Sequence, residues 1–173
     1  MDITRKFAIL APVPEAHLIS GLEAITDQAN SDDITSQALP KVAFGSMAFE
    51  ILRKADELRK ERAIEVLIYA SDSKEDQPLN SEVSWRARYI GHLPSRSGRY
   101  PGKAQFRPKA AATERPIWAV YWEVQELEKL KTPVPIASLQ VLGQKANCKP
   151  RFVPEGPVLI EYPFAAFSAI SRQ

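Results

Sequence analysis

The sequence contains few of the residues that form covalent cross-links and metal clusters. Among its 173 residues there are one cysteine, Cys148, and two histidines, His17 and His92. A single cysteine excludes a disulfide within the chain, and so few cysteine and histidine ligands nearly exclude a metal cluster built by one chain. We therefore expect neither a disulfide nor a metal site.

Glycine and long apolar runs are also scarce. None of the 7 glycines has the spacing of a phosphate-binding or dinucleotide-binding loop, so no nucleotide cofactor is predicted. The run Gly45-Ser46-Met47 lacks the pattern that surrounds a serine nucleophile, and no catalytic residue is predicted. No apolar run approaches the roughly 20 residues of a membrane-spanning helix, and the first residues lack the apolar core of a signal peptide. These absences predict a cytoplasmic protein with no membrane partner.

The composition that remains is typical of a folded protein. Hydrophobic residues make up 45% of the chain and charged residues 25%, which is ordinary for a globular domain. The length corresponds to one domain, which we place at residues 1–162. The apolar residues 163–173 then form a C-terminal tail that either packs on this domain or contacts a partner.

Charge is distributed unevenly, although the net charge of the whole chain is only +2. Residues 86–115 contain eight basic residues and one acidic residue, Glu114. Clustered like charges repel one another unless a counter-charged partner relieves them, so this segment indicates either an anionic partner or a solvated loop. Prolines and glycines between residues 94 and 115 disfavour regular structure and predict a long mobile loop there.

Apolar periodicity predicts short strands and two helices. Alternating or continuous apolar runs favour strands, and apolar residues three and four apart favour amphipathic helices. The predicted strands are residues 7–11, 64–70, 83–93, 117–124 and 156–162, and the predicted helices are residues 15–25 and 45–61. Because loops and not regular crossover helices separate the strands, we predict an α+β fold with a small mixed or antiparallel β-barrel and flanking helices.

Aromatic residues accompany the basic segment. Trp85, Trp118 and Trp122 lie on predicted strands, close in sequence to the arginines. Flat rings beside cations suit stacking on an exposed nucleic-acid base whose phosphates the cations hold. For Trp118 and Trp122 a plain core position is the better interpretation, since both lie on an apolar strand face. For Trp85 both interpretations, stacking on a base and packing in the core, stay open.

The order of these elements resembles a known family. The stretch from Trp118 to Leu139 (WAVYWEVQELEKLKTPVPIASL) is similar to the late strand and following turn of EVE domains, which belong with YTH and ASCH domains to the PUA-like superfamily. Earlier segments match in order: an opening strand that ends in proline, a helix start, a strand that ends in Tyr-x-Ser and the next barrel strand. These are residues 7–14, 44–52, 65–71 and 85–91.

This resemblance implies a small barrel whose cleft accepts a base flipped out of DNA or RNA, often a modified one. The cleft would be lined by Phe44, Gly45, Ser46, Tyr69, Ala70 and Ser71, with Trp85 as a stacking wall. Basic residues would bind the nucleic-acid backbone and make the affinity sensitive to salt. They are Arg86, Arg88, Arg96, Arg99, Lys103 and Arg107.

Two other functions stay open on the sequence. The chain could be a protein-interaction subunit that uses the basic loop and the apolar tail, because exposed apolar segments often mark interfaces. It could also be a small hydrolase of the ASCH-like branch that acts on a nucleoside, although no nucleophile and base pair is evident.

Overall fold

The computed structural model describes residues 1–31, 39–71, 81–113, 115, 117–144, 148 and 156–164. Six strands and two α-helices follow one another along these residues, which confirms the predicted α+β class. In chain order they are β1 (Ala8–Pro14), α1 (Glu15–Ala29), β2 (Lys41–Ser46), α2 (Phe49–Arg59), β3 (Ile64–Ser71), β4 (Glu82–Pro94), β5 (Val120–Pro135) and β6 (Val158–Ile160). Neither α1 nor α2 is long and apolar enough to cross a membrane.

The strands form one mixed sheet in the order β2-β5-β4-β3-β1-β6. Only β1 and β3 run parallel, and the other neighbours are antiparallel. β2 and β6 lie at the two edges and do not pair with each other. Among the described residues the sheet is therefore open, and closure into the predicted barrel is not seen.

Both faces of the sheet are buried. On one face, Leu18 of α1 and Leu52 of α2 pack with Trp85 and Trp122 of the sheet. On the other, Leu67 and Tyr69 pack with the segment after β5. Alternate side chains of β3 therefore enter different cores, which explains why its sequence is an apolar run without alternation.

The helix predicted at residues 45–61 begins later, at Phe49. The preceding residues form β2, which pairs with β5 so that Phe44 lies opposite Trp122. The helical spacing of the apolar residues extends back into β2, so the sequence predicted an earlier start of the helix. These residues are nevertheless extended, because they pair with β5. The strand predicted at residues 117–124 likewise begins at Val120 and runs to Pro135.

Residues 94–115, the part of the basic segment that begins where β4 ends, have more regular structure than their composition predicts. Ser97 and Gly98 both have positive φ, 54° and 78°, and form a tight turn closed by backbone hydrogen bonds between Arg96 and Arg99. Short 3-10 helices follow at Ala104–Phe106 and Lys109–Ala111. Side chains of α1 fix this stretch: the Gln28 amide donates to the Gln105 carbonyl at 3.1 Å, and Ser20 Oγ accepts from the Ala110 amide at 3.0 Å. Of the predicted tail, residues 165–173 lie outside the described residues.

Candidate functional site

A cavity of about 410 Å³ opens where the ends of β1 and β2 approach Trp118. Its walls come from the end of β1, the first turn of α1, the end of β2 with the turn after it, and the residues before β6. Pro14, Phe44, Gly45, Ser46, Trp118 and Trp122 line it. The volume lies in the range of small-molecule binding sites, about 300 to 1,000 Å³.

Trp118 forms one wall of this cavity because residue 45 is a glycine. A Cβ atom built on Gly45 would lie 2.4 Å from Cγ and Cδ1 of the Trp118 ring. No larger residue leaves room for the indole against β2 at this point. Trp118 is partly exposed and precedes β5, so its interpretation as a core residue is wrong.

Trp122 and Phe44 form the base of the cavity. Each is 2% exposed, and their ring centroids lie 5.2 Å apart with an interplanar angle of 51°. This is an ordinary tilted aromatic pair within the core. The interpretation of Trp122 as a core residue is confirmed, although its ring also contributes to the cavity.

Polar groups at the cavity are few. Ser46 is buried, and its Oγ accepts a hydrogen bond from the Ala48 amide at 3.0 Å. The hydroxyl proton of Ser46 can in turn be donated to a polar ligand atom. His17 lies at the first turn of α1 and also lines the cavity. The site thus offers flat apolar walls with a few polar groups to orient a ligand.

The other residues expected at the cleft lie elsewhere. Tyr69 is fully buried in the core on the opposite face of the sheet. Ala70 packs against the helical-face core, and Ser71 is buried with an Oγ that has no hydrogen-bond partner among the described residues. Trp85 is 4% exposed because β4 lies inside the sheet and points this ring at the helices. Trp85 therefore does not line the cavity, whereas Trp118 does.

Two of the predicted basic residues form internal ion pairs. Arg86 Nε lies 2.8 Å from Glu65 Oε1, and its guanidinium lies 5.3 Å from the Phe164 ring centroid. Arg88 Nε lies 2.8 Å from Glu126 Oε2. Burial raises the pKa of the Glu65 carboxyl, and the adjacent Arg86 guanidinium opposes that shift. These contacts compensate much of the positive charge that β4 carries.

The remaining predicted basic residues lie in the segment 94–115. Arg96, Arg99 and Lys103 are exposed. Arg107 is partly buried and donates from its guanidinium to the Ala43 carbonyl at 2.8 Å. A further cation that the site prediction omitted, Arg115, lines a second, smaller cavity together with Arg99 and Arg107.

A hydrogen-bonded cluster that the sequence did not indicate joins α2 to β4. His92 Nδ1 lies 2.6 Å from Asp56 Oδ2, and the Tyr89 hydroxyl donates to Asp56 Oδ1 at 3.0 Å. Arg59 Nε lies 2.7 Å from the same Oδ1 atom. Burial and the Asp56 carboxylate raise the pKa of the Tyr89 hydroxyl. The residues come from positions far apart in the chain, and only the packing of α2 on β4 brings them together.

Within the described ranges, no group of three or more histidine, cysteine, aspartate or glutamate residues is arranged to hold a metal ion. Comparison with known proteins finds no match among family models, curated proteins or solved structures. The resemblance to EVE domains thus stays a prediction from the sequence.

Proposed function

We propose that the protein is a non-catalytic nucleic-acid-binding module that accepts one unstacked base, flipped or modified, in the cavity beside Trp118. The observation that carries this proposal is the indole of Trp118, which the absence of a side chain at Gly45 holds at the wall of a 410 Å³ cavity. Stacking on an aromatic side chain is how proteins usually bind bases that have left a helix.

Exposed cations in the segment 94–115 support a nucleic-acid ligand. Arg96, Arg99 and Lys103 are exposed. Arg99 lines the second, smaller cavity, and Trp118 lines both this cavity and the first. Cations at this position would contact backbone phosphates while the base occupies the apolar cavity. Arg86 and Arg88 have no part in this proposal, because their charge is compensated by glutamates.

We further propose that the open sheet is a variant of the PUA-like barrel, with the EVE-like order of elements. Two features support this. The order strand, helix, strand, helix and strand at the start of the chain is compatible with the resemblance. The three residues at which the resemblance places the start of the pocket, Phe44, Gly45 and Ser46, line the cavity.

Fluorescence anisotropy with short labelled oligonucleotides tests the function. The panel contains single- and double-stranded DNA and RNA, unmodified and with common methylated bases, each at two salt concentrations. We expect tight binding that weakens with salt and that favours one base. Trp118→Ala should weaken this binding about tenfold, since base–aromatic stacking contributes ~1–3 kcal/mol, whereas Trp118→Phe should retain most of it.

Two outcomes would favour the other functions. Binding to every oligonucleotide that disappears at physiological salt would favour a protein-interaction subunit, which the exposed Met47 and Ile117 near the cavity would suit, at 63% and 65% exposure. Turnover of a nucleoside by the purified protein would favour the hydrolase. Either result would overturn the proposal of a base-binding module.

A further inference from the structure

The second cavity, of about 230 Å³, is lined by cations and aromatic rings. Its charged residues are Arg99, Arg107 and Arg115, and its described lining contains no acidic side chain. The guanidinium groups of Arg99 and Arg115 repel each other around this small space, and an anion between them relieves that repulsion. Arginine is also the side chain whose planar donors best match a phosphate group.

Arg107 is held in place before any ligand arrives. Its guanidinium donates to the Ala43 carbonyl of β2 at 2.8 Å and lies 4.9 Å from the centroid of the Tyr121 ring. These contacts restrict the side chain, so less conformational entropy is lost when an anion binds.

Arg99 is positioned by the turn to which it belongs. The Tyr121 hydroxyl donates to the Gly98 carbonyl at 2.7 Å, which fixes the turn at residues 96–99 on β5. Tyr100 donates its hydroxyl proton to Glu123, and Lys41 Nζ lies 3.0 Å from the same carboxylate oxygen. The nearby carboxylate of Glu123 is thus already bound to partners of its own.

Trp118 lines both cavities. We propose that the second cavity is a phosphate site, which binds the backbone phosphate next to the base held in the first cavity. This inference rests on the proposed function and narrows its ligand to a nucleotide that carries a phosphate, which excludes a free base or nucleoside as the preferred ligand. Arg99 and Arg115 are the principal phosphate contacts, and Arg107 completes the site from a fixed position.

A comparison of two double variants tests this site in the full chain. Arg99→Gln with Arg115→Gln removes two cations that line the cavity, and Arg96→Gln with Lys103→Gln removes two exposed cations that do not. We expect the first pair to weaken oligonucleotide binding at least about tenfold more than the second, because hydrogen bonds to charged groups are the strong ones. If both arginines share one phosphate, the slope of log affinity against log salt should fall by about one. Equal effects of the two double variants would overturn the inference and leave the base-binding proposal intact.

Inorganic phosphate separates failure of the site from failure of the proposed function. Phosphate should raise the thermal midpoint of the wild type and of Arg96→Gln with Lys103→Gln, but not that of Arg99→Gln with Arg115→Gln. If the wild type binds no oligonucleotide but shows this selective stabilisation, the base-binding proposal fails and the anion site holds. If phosphate stabilises none of the three proteins, or all of them equally, the anion site itself is overturned.

Discussion

The two parts of the basic segment use the same residue types in different ways. In β4, Arg86 and Arg88 each have a glutamate partner at 2.8 Å, and Trp85 is core. After β4, Arg99, Arg107 and Arg115 line a cavity whose described lining contains no acidic side chain, and Trp118 is partly exposed between that cavity and β2. The arrangement of cations, more than their number, therefore decides whether they are available to bind an anion.

The sharpest contrast is between two tryptophan substitutions. Trp85→Ala should lower the free energy of unfolding by about 4 kcal/mol, because it removes a buried aromatic ring from the core. Trp118→Ala should lower it much less and act mainly on oligonucleotide binding. Urea denaturation and anisotropy on both variants measure the two quantities. If Trp118→Ala is as destabilised as Trp85→Ala, Trp118 is a core residue and its assignment to the cavity wall is contradicted.

Arg86→Ala tests whether the β4 arginines are structural. It leaves the Glu65 carboxylate buried without its cation, and we expect the free energy of unfolding to fall by about 3 kcal/mol. This value is at the low end for buried ion pairs because the Arg86 side chain is partly exposed. Urea denaturation gives this value, and anisotropy on the folded variant should show unchanged affinity. A large loss of affinity would place Arg86 at the nucleic-acid interface.

The same variant should show a defined pH dependence. Burial raises the pKa of Glu65 in the folded state above its unfolded value, so protonation favours the folded state and stability falls as pH rises through that interval. Without Arg86 the pKa of Glu65 rises further. The loss caused by Arg86→Ala should therefore be smaller at acidic pH than at neutral pH, measured by denaturation at both. A loss that does not vary with pH would contradict the assignment of the effect to Glu65.

Gly45→Ala should affect the cavity directly. The added Cβ would meet the Trp118 ring at 2.4 Å, so the indole must move. We expect a stability loss of about 2 kcal/mol, typical of overpacking, together with weaker oligonucleotide binding. Gly21→Ala is the control, since its added Cβ would meet side chains at 3.4 Å and lies outside the cavity lining. Affinity lost equally in both variants would show that the Gly45 effect is not specific to the Trp118 wall.

The smallest effect is expected at Arg88. Its ion pair with Glu126 joins side chains that are 40% and 51% exposed, and such pairs contribute about 0.5 kcal/mol. Arg88→Gln should also leave the salt dependence of binding unchanged, whereas Arg99→Gln should reduce it. Salt titrations of Arg88→Gln and Arg99→Gln measure this dependence. An equal reduction in both variants would show that the arginines of β4 and those of the segment 94–115 contribute alike to binding.

Much of the fold could be predicted from local sequence. The apolar run of β3 and the alternation of β4 gave their positions to within one or two residues, and the α+β class followed from them. β2 was missed because its short run merges with the helical spacing of α2. The edge positions of β2 and β6 depend on pairing between distant segments, which a single sequence does not specify.

The candidate site was predictable only in part. Phe44, Gly45 and Ser46 were placed at a pocket through the family resemblance, not through any local pattern. The pairing of Arg86 with Glu65 depends on the register of β3 and β4, where Glu65 lies opposite Arg88. The position of Trp118 depends on a glycine more than seventy residues earlier in the sequence. Contacts of this kind become visible only in the folded chain.

The proposed function requires that a base occupies the cavity beside Trp118. The most direct measurement is the affinity of the wild type and of Trp118→Ala for two oligonucleotides: one with a single base in an otherwise abasic backbone, and one that is entirely abasic. For at least one of the bases tested, the wild type should bind the first oligonucleotide about tenfold more tightly than the second, and Trp118→Ala should bind both equally. A wild type that does not distinguish the two for any base, or a variant that distinguishes them as well as the wild type, would contradict the claim.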